Sequence, residues 1–404
     1  MSGKLFLKRG KEKPLHNHHP WIFSGAIARV ENANDGDTVE VYDAAGEWLA
    51  RAAYNSRSQI AARVWTFERG EDIDDAFFRR RIERASEARK TLFQNLIQNS
   101  LNFELDFEKS AIRLVNAESD FLPGIVIDRY SDYLVVQFLT LGAELRKKEI
   151  VGKLQEWFAL RGVYERSDVE VRAKEGLKEV TGILLGQEPP DRIEIVENDL
   201  KFLVDVKRGH KTGFYLDQAV NRERAVQYLR GEVLNAFAYT GAFGVYAAKR
   251  NGAQVTNLDA SASSLELARE NFELNGVTAN AEYVTADAFE KLRAYREQGR
   301  KFDAILLDPP KFATSRGNLE RAARGYKDLN MLAFQLLKRD GFLVTFSCSG
   351  LVDAKLFQQI VFSAAVDAKR DAQIVEKLGQ APDHPIGLNF PEGEYLKGLI
   401  LRVN

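Results

Sequence analysis

The sequence predicts an α/β protein whose C-terminal half is a doubly wound parallel sheet, preceded by a β-rich unit and a small α+β unit. Three observations carry this expectation. From about residue 191, short apolar strands alternate with helical patterns, the βαβαβ progression of such sheets. The first 75 residues read instead as a run of strands. Between the two textures, Gln187-Glu-Pro-Pro-Asp191 is the clearest linker signal in the chain. The expected domains are therefore residues 1–75, 76–190 and 191–404.

In the first domain, Thr38-Val-Glu-Val-Tyr42 and Trp48-Leu-Ala-Arg-Ala-Ala-Tyr54 alternate as strands around the turn Asp43-Ala-Ala-Gly46, and Gln59-Ile-Ala-Ala-Arg-Val-Trp65 continues the pattern. Residues 76–99 read as a helix, because Phe77, Phe78, Ile82, Ala85, Ala88, Leu92 and Leu96 recur near a 3.6-residue spacing. In the second domain, Ile112–Val115, Gly124–Asp128 and Leu134–Phe138 read as strands, followed by a helix over 143–160. In the third, strands are expected at 232–236, 254–259, 281–284, 303–307 and 341–346. Helices are expected at 244–250, 262–275, 287–298 and 323–338.

Composition excludes several classes. Fifty-seven Lys+Arg balance 58 Asp+Glu, and 45 % of residues are apolar, an ordinary globular mixture. No apolar run reaches the roughly 18 residues of a membrane span, and the first residues lack a signal-peptide core. Cys348 is the only cysteine, which excludes an intrachain disulfide and a Cys-rich zinc site and makes a reducing cytoplasm the expected compartment. The near-neutral total hides two basic stretches. Residues 1–30 hold Lys4, Lys8, Arg9, Lys11, Lys13 and Arg29 against Glu12 alone, and residues 201–250 hold nine Lys/Arg against four acids. Such stretches suit phosphate.

The chemistry-bearing motifs fall in the third domain. Val233-Leu-Asn-Ala-Phe-Ala-Tyr-Thr-Gly-Ala-Phe-Gly244 is a strand running into a small-residue turn and then a helix, which lets a ligand approach the backbone. Phe237, Tyr239, Thr240 and Gly241 are the candidate contacts there. Asp259 ends the next strand, 18 residues after Gly241, placed to accept ribose hydroxyls. The turn is not a dinucleotide G-x-G-x-x-G and offers no triphosphate-binding lysine, so it suits a nucleoside without a pyrophosphate. Asp287 is a candidate for an adenine amino group. Phe302-Asp-Ala-Ile-Leu-Leu-Asp-Pro-Pro-Lys-Phe312 sets Asp308 at the sheet edge in a turn stiffened by two prolines. Together these four elements read as an S-adenosylmethionine-dependent methyltransferase that needs no metal.

Cys348 lies just past the strand Gly341–Phe346, at the same expected edge as Asp308. A thiolate there explains how a pyrimidine is methylated at carbon. Carbon 5 of cytosine is a poor nucleophile until a thiolate adds at carbon 6, and an acid at ring nitrogen 3, for which Asp308 is the candidate, stabilises the developing charge. The base that removes the carbon 5 proton is left open among Lys311, Glu394 and a water molecule.

The sequence resembles the bacterial 23S ribosomal RNA cytosine-carbon-5 methyltransferases with an N-terminal PUA domain. Three groups of residues carry the resemblance over nearly the whole chain. They are Lys8-Arg-Gly-Lys-Glu-Lys13, His19-Pro-Trp-Ile-Phe-Ser-Gly25 and Ser58–Arg63; Glu118–Arg129 and Tyr164–Asp168; and Gly209–Gln218, Asp308–Phe312, Arg324–Asp328, Phe346–Gly350 and Glu394–Lys397. The resemblance implies a PUA fold, a central α+β domain and a Rossmann-like catalytic domain. It also implies large-subunit ribosomal RNA as partner, 5-methylcytidine as product and Cys348 as nucleophile. It places Tyr215 and Gln218 near cofactor or target base. It gives the first basic stretch a purpose, with Lys8, Arg9, Lys11 and Lys13 on phosphate, while Lys311 would face RNA. Phe312 or Tyr215 is a candidate to stack on the flipped cytosine, and His19 and Trp21 to pack or stack. Some positions depart from the family pattern: Ala238 and Ala242 replace Cys and Gly, Asn235 stands where many methyltransferases have an acid, and Pro309 and Pro310 stand where others carry a second cysteine. Two alternatives stay open, a guanine-nitrogen methyltransferase that needs no thiol and an RNA-binding assembly factor. The oligomeric state is open too, a homodimer included.

Overall fold

The computed structural model describes residues 3–98, 109–157, 160–313 and 315–404. It divides into two compact units that are interleaved in sequence. The first comprises Met1–Ile195, Val204–Leu216 and Pro382–Gly393; the second comprises Val196–Leu203, Asp217–Ala381 and Glu394–Asn404.

The first unit holds two sheets. Six strands run in the order Trp21–Ile22, Ala62–Thr66, Trp48–Tyr54, Thr38–Tyr42, Gly3–Leu7 and Ile27–Glu31. Alternating residues close its core: Leu5 and Leu7, Val39 and Val41, Ala50 and Ala52, Ala62 and Val64. The strand expected from Gln59 begins only at Ala62, because Ser58–Ile60 form a bend before it. The second sheet runs Val180–Gly186, Gly162–Ser167, Tyr133–Phe138, Ile125–Tyr130 and Ala111–Asn116. Its first two strands carried no clear periodic signal in the sequence.

The expected helix at 76–99 spans Asp75–Gln98; residue 99 and the side chain of Leu96 lie outside the described residues. Its apolar stripe of Phe77, Phe78, Ile82 and Ala85 packs on Ile112, Leu114, Ile127 and Val136, together with Ala53 and Trp65 of the first sheet. Both sheets thus share this core. Each such aromatic burial is worth about 1.5–3 kcal/mol. The single helix expected over 143–160 is two helices, Leu141–Leu145 and Lys147–Trp157, because Arg146 leaves helical geometry (φ −93°, ψ 1°). Residues 158 and 159 of that expectation lie outside the described residues. The carboxylate of Glu175, 2 % exposed, accepts from Ser58 Oγ (2.6 Å), Arg63 (2.8 Å) and Asn55 Nδ2 (3.0 Å), tying the first sheet to the loop after Ser167.

The second unit is built on seven strands in the order Ala281–Thr285, Gln254–Asp259, Glu232–Ala236, Phe302–Leu307, Leu337–Ser347, Lys397–Val403 and Ala372–Gly379. The first five are parallel, and the last two join antiparallel. Helices Ala219–Ala225, Ala242–Asn251 and Ala262–Leu274 form one neighbouring set, and Ala288–Glu297, Leu319–Leu336 and Ala354–Ala368 another. The second set packs Leu292, Tyr326, Leu329, Leu332, Phe357 and Val361 onto Leu234, Ile305, Leu307, Leu343 and Leu401. Helix Ala354–Ala368 and strands Ala372–Gly379 and Lys397–Val403 extend the expected pattern. The helix expected at 323–338 starts earlier, at Leu319, and gives way to extended backbone at Leu337 (φ −73°, ψ 140°). Among the described residues, no helix is long and apolar enough to cross a membrane.

Candidate functional site

The five parallel strands deliver the motif residues to one edge. Ala236 sits level with Leu258 and Leu307, Asp259 with Thr285, and Leu307 with Thr345. The loops carrying Phe237–Gly241, Asp259, Asp287, Asp308 and Cys348 therefore all leave from the C-terminal ends of the strands, where open α/β sheets bind ligands.

The turn after Ala236 is strained. Phe237 (φ 62°), Tyr239 (φ 49°) and Gly241 (φ 77°) are left-handed, a conformation that costs a non-glycine residue about 1–3 kcal/mol. Its backbone N–H groups hold it: Ala238 N donates to Leu258 O (3.0 Å), Tyr239 N to the Asp259 side chain at Oδ2 (2.8 Å) and Gly241 N to Ala238 O (2.8 Å). A Cβ on Gly241 would stand 2.9 Å from that of Ala268, so only glycine fits this entry to the helix Ala242–Asn251. Beneath the turn, Asn235 Nδ2 donates to Asn257 Oδ1 across the strands (3.0 Å), a neutral pair.

The acids are held differently. Asp259 uses one oxygen for Tyr239 N and the other for Ser261 N (2.9 Å), leaving a lone pair on each for further donors. Asp287 is exposed and caps the helix Ala288–Glu297 through Glu290 N (3.0 Å). Asp308 Oδ2 accepts from Gln218 Nε2 (3.0 Å), and the buried Gln218 is fixed in turn by Asn221 Nδ2 (2.6 Å).

Cys348 is half-buried on the turn after Leu337–Ser347, between the fully buried Ser347 and Ser349. Ser349 Oγ accepts from Ala313 N (3.2 Å) and shares a proton with Tyr326 Oη (3.1 Å), which pins the thiol's turn to the loop that begins at Asp308. Burial pushes the Tyr326 phenol above its ordinary pKa, so it remains protonated. Lys397 reaches the same turn from the neighbouring strand, with Nζ donating to Ser349 O (2.6 Å) and Val352 O (2.5 Å). Ser349, Tyr326 and Lys397 lay in motifs visible in the sequence, but their link to Cys348 needs the fold.

The remaining candidates fall in both compact units. Lys311 is exposed beside Asp308, and the half-buried Phe312 packs on Tyr326 (centroids 4.7 Å apart) and Phe289 (6.2 Å). Tyr215 belongs to the first unit, where its ring carries Lys211 Nζ at 4.4 Å and its hydroxyl lies 3.4 Å from His210 Nδ1. Lys8, Arg9, Lys11 and Lys13 are exposed in the first unit, Lys8 reaching Gly25 O (3.0 Å). Trp21 is half-buried, its Nε1 donating to Glu118 (2.8 Å) and its ring meeting Phe390 edge-on at 4.8 Å; His19 lies 3.2 Å from Glu392.

The site fits S-adenosylmethionine on its own geometry. Thr240 Oγ1 is buried without a hydrogen-bond partner, as expected where a polar ligand completes the shell. Asp259 keeps acceptor capacity for a ribose, and an acid-lined edge suits a cationic sulfonium. Among the described residues, no group of three or more His, Cys, Asp or Glu is placed to hold a metal ion. A Rossmann-like sheet with this edge defines an S-adenosylmethionine-dependent methyltransferase. The matching family models are an S-adenosylmethionine-dependent methyltransferase over residues 144–399 and a PUA-like domain over residues 5–67. Two relatives, from Aeromonas hydrophila and Aliivibrio fischeri, are 53 % and 50 % identical to this chain and match along the full length of both chains; each is named ribosomal RNA large subunit methyltransferase I. A solved putative S-adenosylmethionine-dependent methyltransferase from Streptococcus mutans shares the fold over both full chains (TM-score 0.83, 23 % identity). The chain belongs to the S-adenosylmethionine-dependent methyltransferase family, with the ribosomal RNA large subunit methyltransferase I proteins among its relatives, and it carries a PUA-like N-terminal domain.

Proposed function

We propose that this protein methylates carbon 5 of a specific cytosine in 23S ribosomal RNA through a covalent Cys348 adduct. The single observation that carries the reading is the pairing of Cys348 with Asp308 on adjacent strand ends, their loops joined through Ser349. S-adenosylmethionine supplies an electrophilic methyl group when bound. Tyr239, Thr240 and Gly241 would hold it at the turn with Phe237 beside it, Asp259 would accept from the ribose and Asp287 would lie beside the adenine.

The chemistry follows from the thiol. Cys348 gives up its proton, its sulfur adds to carbon 6, and the electron pair moves toward carbon 5 and the ring carbonyl. Asp308, oriented by Gln218, steadies nitrogen 3. Once carbon 5 carries the methyl group, whose bond to the donor sulfonium is the one broken, S-adenosylhomocysteine would be left; a base then removes the carbon 5 proton, the bond from Cys348 sulfur to carbon 6 breaks and the thiolate leaves. Lys311, Glu394 and water remain the candidates for that base.

The RNA contacts proposed are phosphate contacts by Lys8, Arg9 and Lys11 on the PUA-like domain and by Lys311 beside the site. We also propose 1–75, 76–190 and 191–404 as the modules of the chain.

The test is mass spectrometry of ribosomal RNA from cells with and without the gene, paired with methyl transfer in vitro. Loss of one 5-methylcytidine, and a Cys348→Ala protein inactive at equal S-adenosylmethionine affinity, support the reading. An unchanged 5-methylcytidine map overturns it. Retained activity in Cys348→Ala favours guanine-nitrogen chemistry instead.

A further inference from the structure

Lys397 opens the strand Lys397–Val403 and is 7 % exposed. Lysines are almost never buried without partners, because their stems usually carry the charge out to water. Antiparallel pairing sets Lys397 opposite Ser347, the residue before Cys348. Two of its three N–H donors go to the carbonyls of Ser349 and Val352, on the turn that follows the thiol. Burial, the largest influence, lowers the Lys397 pKa from its ordinary 10.5. Cys348, Glu394 and Asp353 favour its charged form, and Lys311 opposes it. Tyr326 is a further titratable group close to the thiol. No step of the methyl-transfer scheme above uses Lys397.

We propose that Lys397 is a positioning residue whose ammonium stabilises the Cys348 thiolate while holding the turn that carries it. The proposal rests on Cys348 as the nucleophile. The thiol proton leaves to solvent on the open side of the half-buried Cys348. The sulfur keeps the electron pair that forms the bond to carbon 6, and Lys397 keeps its proton throughout. A lysine that served only as a structural peg would make the same carbonyl bonds but leave the thiol's ionisation unchanged.

Cys348 is the only cysteine, so alkylation of the full-length protein by iodoacetamide reports on this thiol alone. The wild-type alkylation rate is expected to titrate with a midpoint below the ordinary thiol value of about 8.5. Lys397→Met should raise that midpoint by about one pH unit, slow alkylation at pH 7 about tenfold and lower kcat with little change in KM. Lys397→Arg, which keeps the charge, should hold the low midpoint. A wild-type midpoint at or above about 8.5 overturns the proposal, even if Lys397→Met fails to fold. So does an unshifted midpoint in a Lys397→Met protein with a native melting curve. Failure of the nucleophile reading is a separate result: Cys348→Ala would stay active, whatever the alkylation midpoints are.

Discussion

At the scale of single residues, the turn between Ala236 and Ala242 concentrates backbone strain at the C-terminal edge of the parallel sheet. Three left-handed residues in five are held by Asp259 and Leu258, so Asp259 organises the turn as well as offering lone pairs beyond it. Asp259→Asn is expected to weaken S-adenosylmethionine binding about 10- to 100-fold, since hydrogen bonds to a charged group are worth roughly 1.5–3 kcal/mol. Titration calorimetry measures this, and an unchanged Kd would remove Asp259 from the site. Gly241 and Asp259 were legible in the sequence because a tight turn and an acid about 20 residues later have local signatures. Asp287, expected at an adenine amino group, is seen in the structure to cap the helix Ala288–Glu297.

At the scale of elements, two carboxylates show how strands are tied together. Glu175 collects Arg63, Ser58 and Asn55 in a buried cluster. Glu175→Ala leaves the Arg63 charge buried with its main partner removed and should cost about 3–5 kcal/mol in urea unfolding. A loss below 1 kcal/mol would mean the cluster is not cooperative. Asp303 receives Glu232 N and Lys338 Nζ, both at 2.8 Å, at the opposite end of the parallel sheet from the site. Burial tends to raise its pKa, but the Lys338 and Glu232 bonds outweigh it and hold the value below the ordinary 3.8. The unfolded chain therefore binds this proton first. The stabilisation is complete well above pH 3.8 and is lost as pH falls through the lower folded value. Urea midpoints taken from pH 6 down to pH 3 should show an acid-side decline that Asp303→Asn flattens. An identical profile in the variant would refute the linkage.

At the scale of the whole molecule, the C-terminal tail serves both compact units. Pro382–Gly393 belongs to the first, where Asp383 accepts from Arg113 N (3.0 Å) and Phe390 meets Trp21. Glu394–Asn404 belongs to the second and contributes the strand between Leu337–Ser347 and Ala372–Gly379. Deleting Lys397–Asn404 breaks two strand pairings and removes the buried Lys397. Circular dichroism on heating should then lose the second unit's share of the cooperative transition, whereas a sharp, near-native melt of full amplitude would contradict the role given to this strand.

Sequence alone determined what repeats over short distances. The parallel strands of the second unit alternate with helices at intervals that apolar periodicity reveals, and glycine, proline and acidic residues mark where their loops turn. The order of Gly241, Asp259 and Asp308 along the chain, and the solitary Cys348, followed from the same local signals. Tertiary structure decided what depends on register and long-range pairing. The opening strand of the chain, the strands Gly162–Ser167 and Val180–Gly186, and the antiparallel pair at the sheet's end have weak local signals, because partners far along the chain stabilise them. Lys397 stands beside Cys348 only because two strands pair in one register, and Glu175 meets Arg63 only because a loop closes across more than a hundred residues. Such contacts are set by how buried surfaces and buried polar groups find partners in three dimensions, which no local pattern of residues specifies.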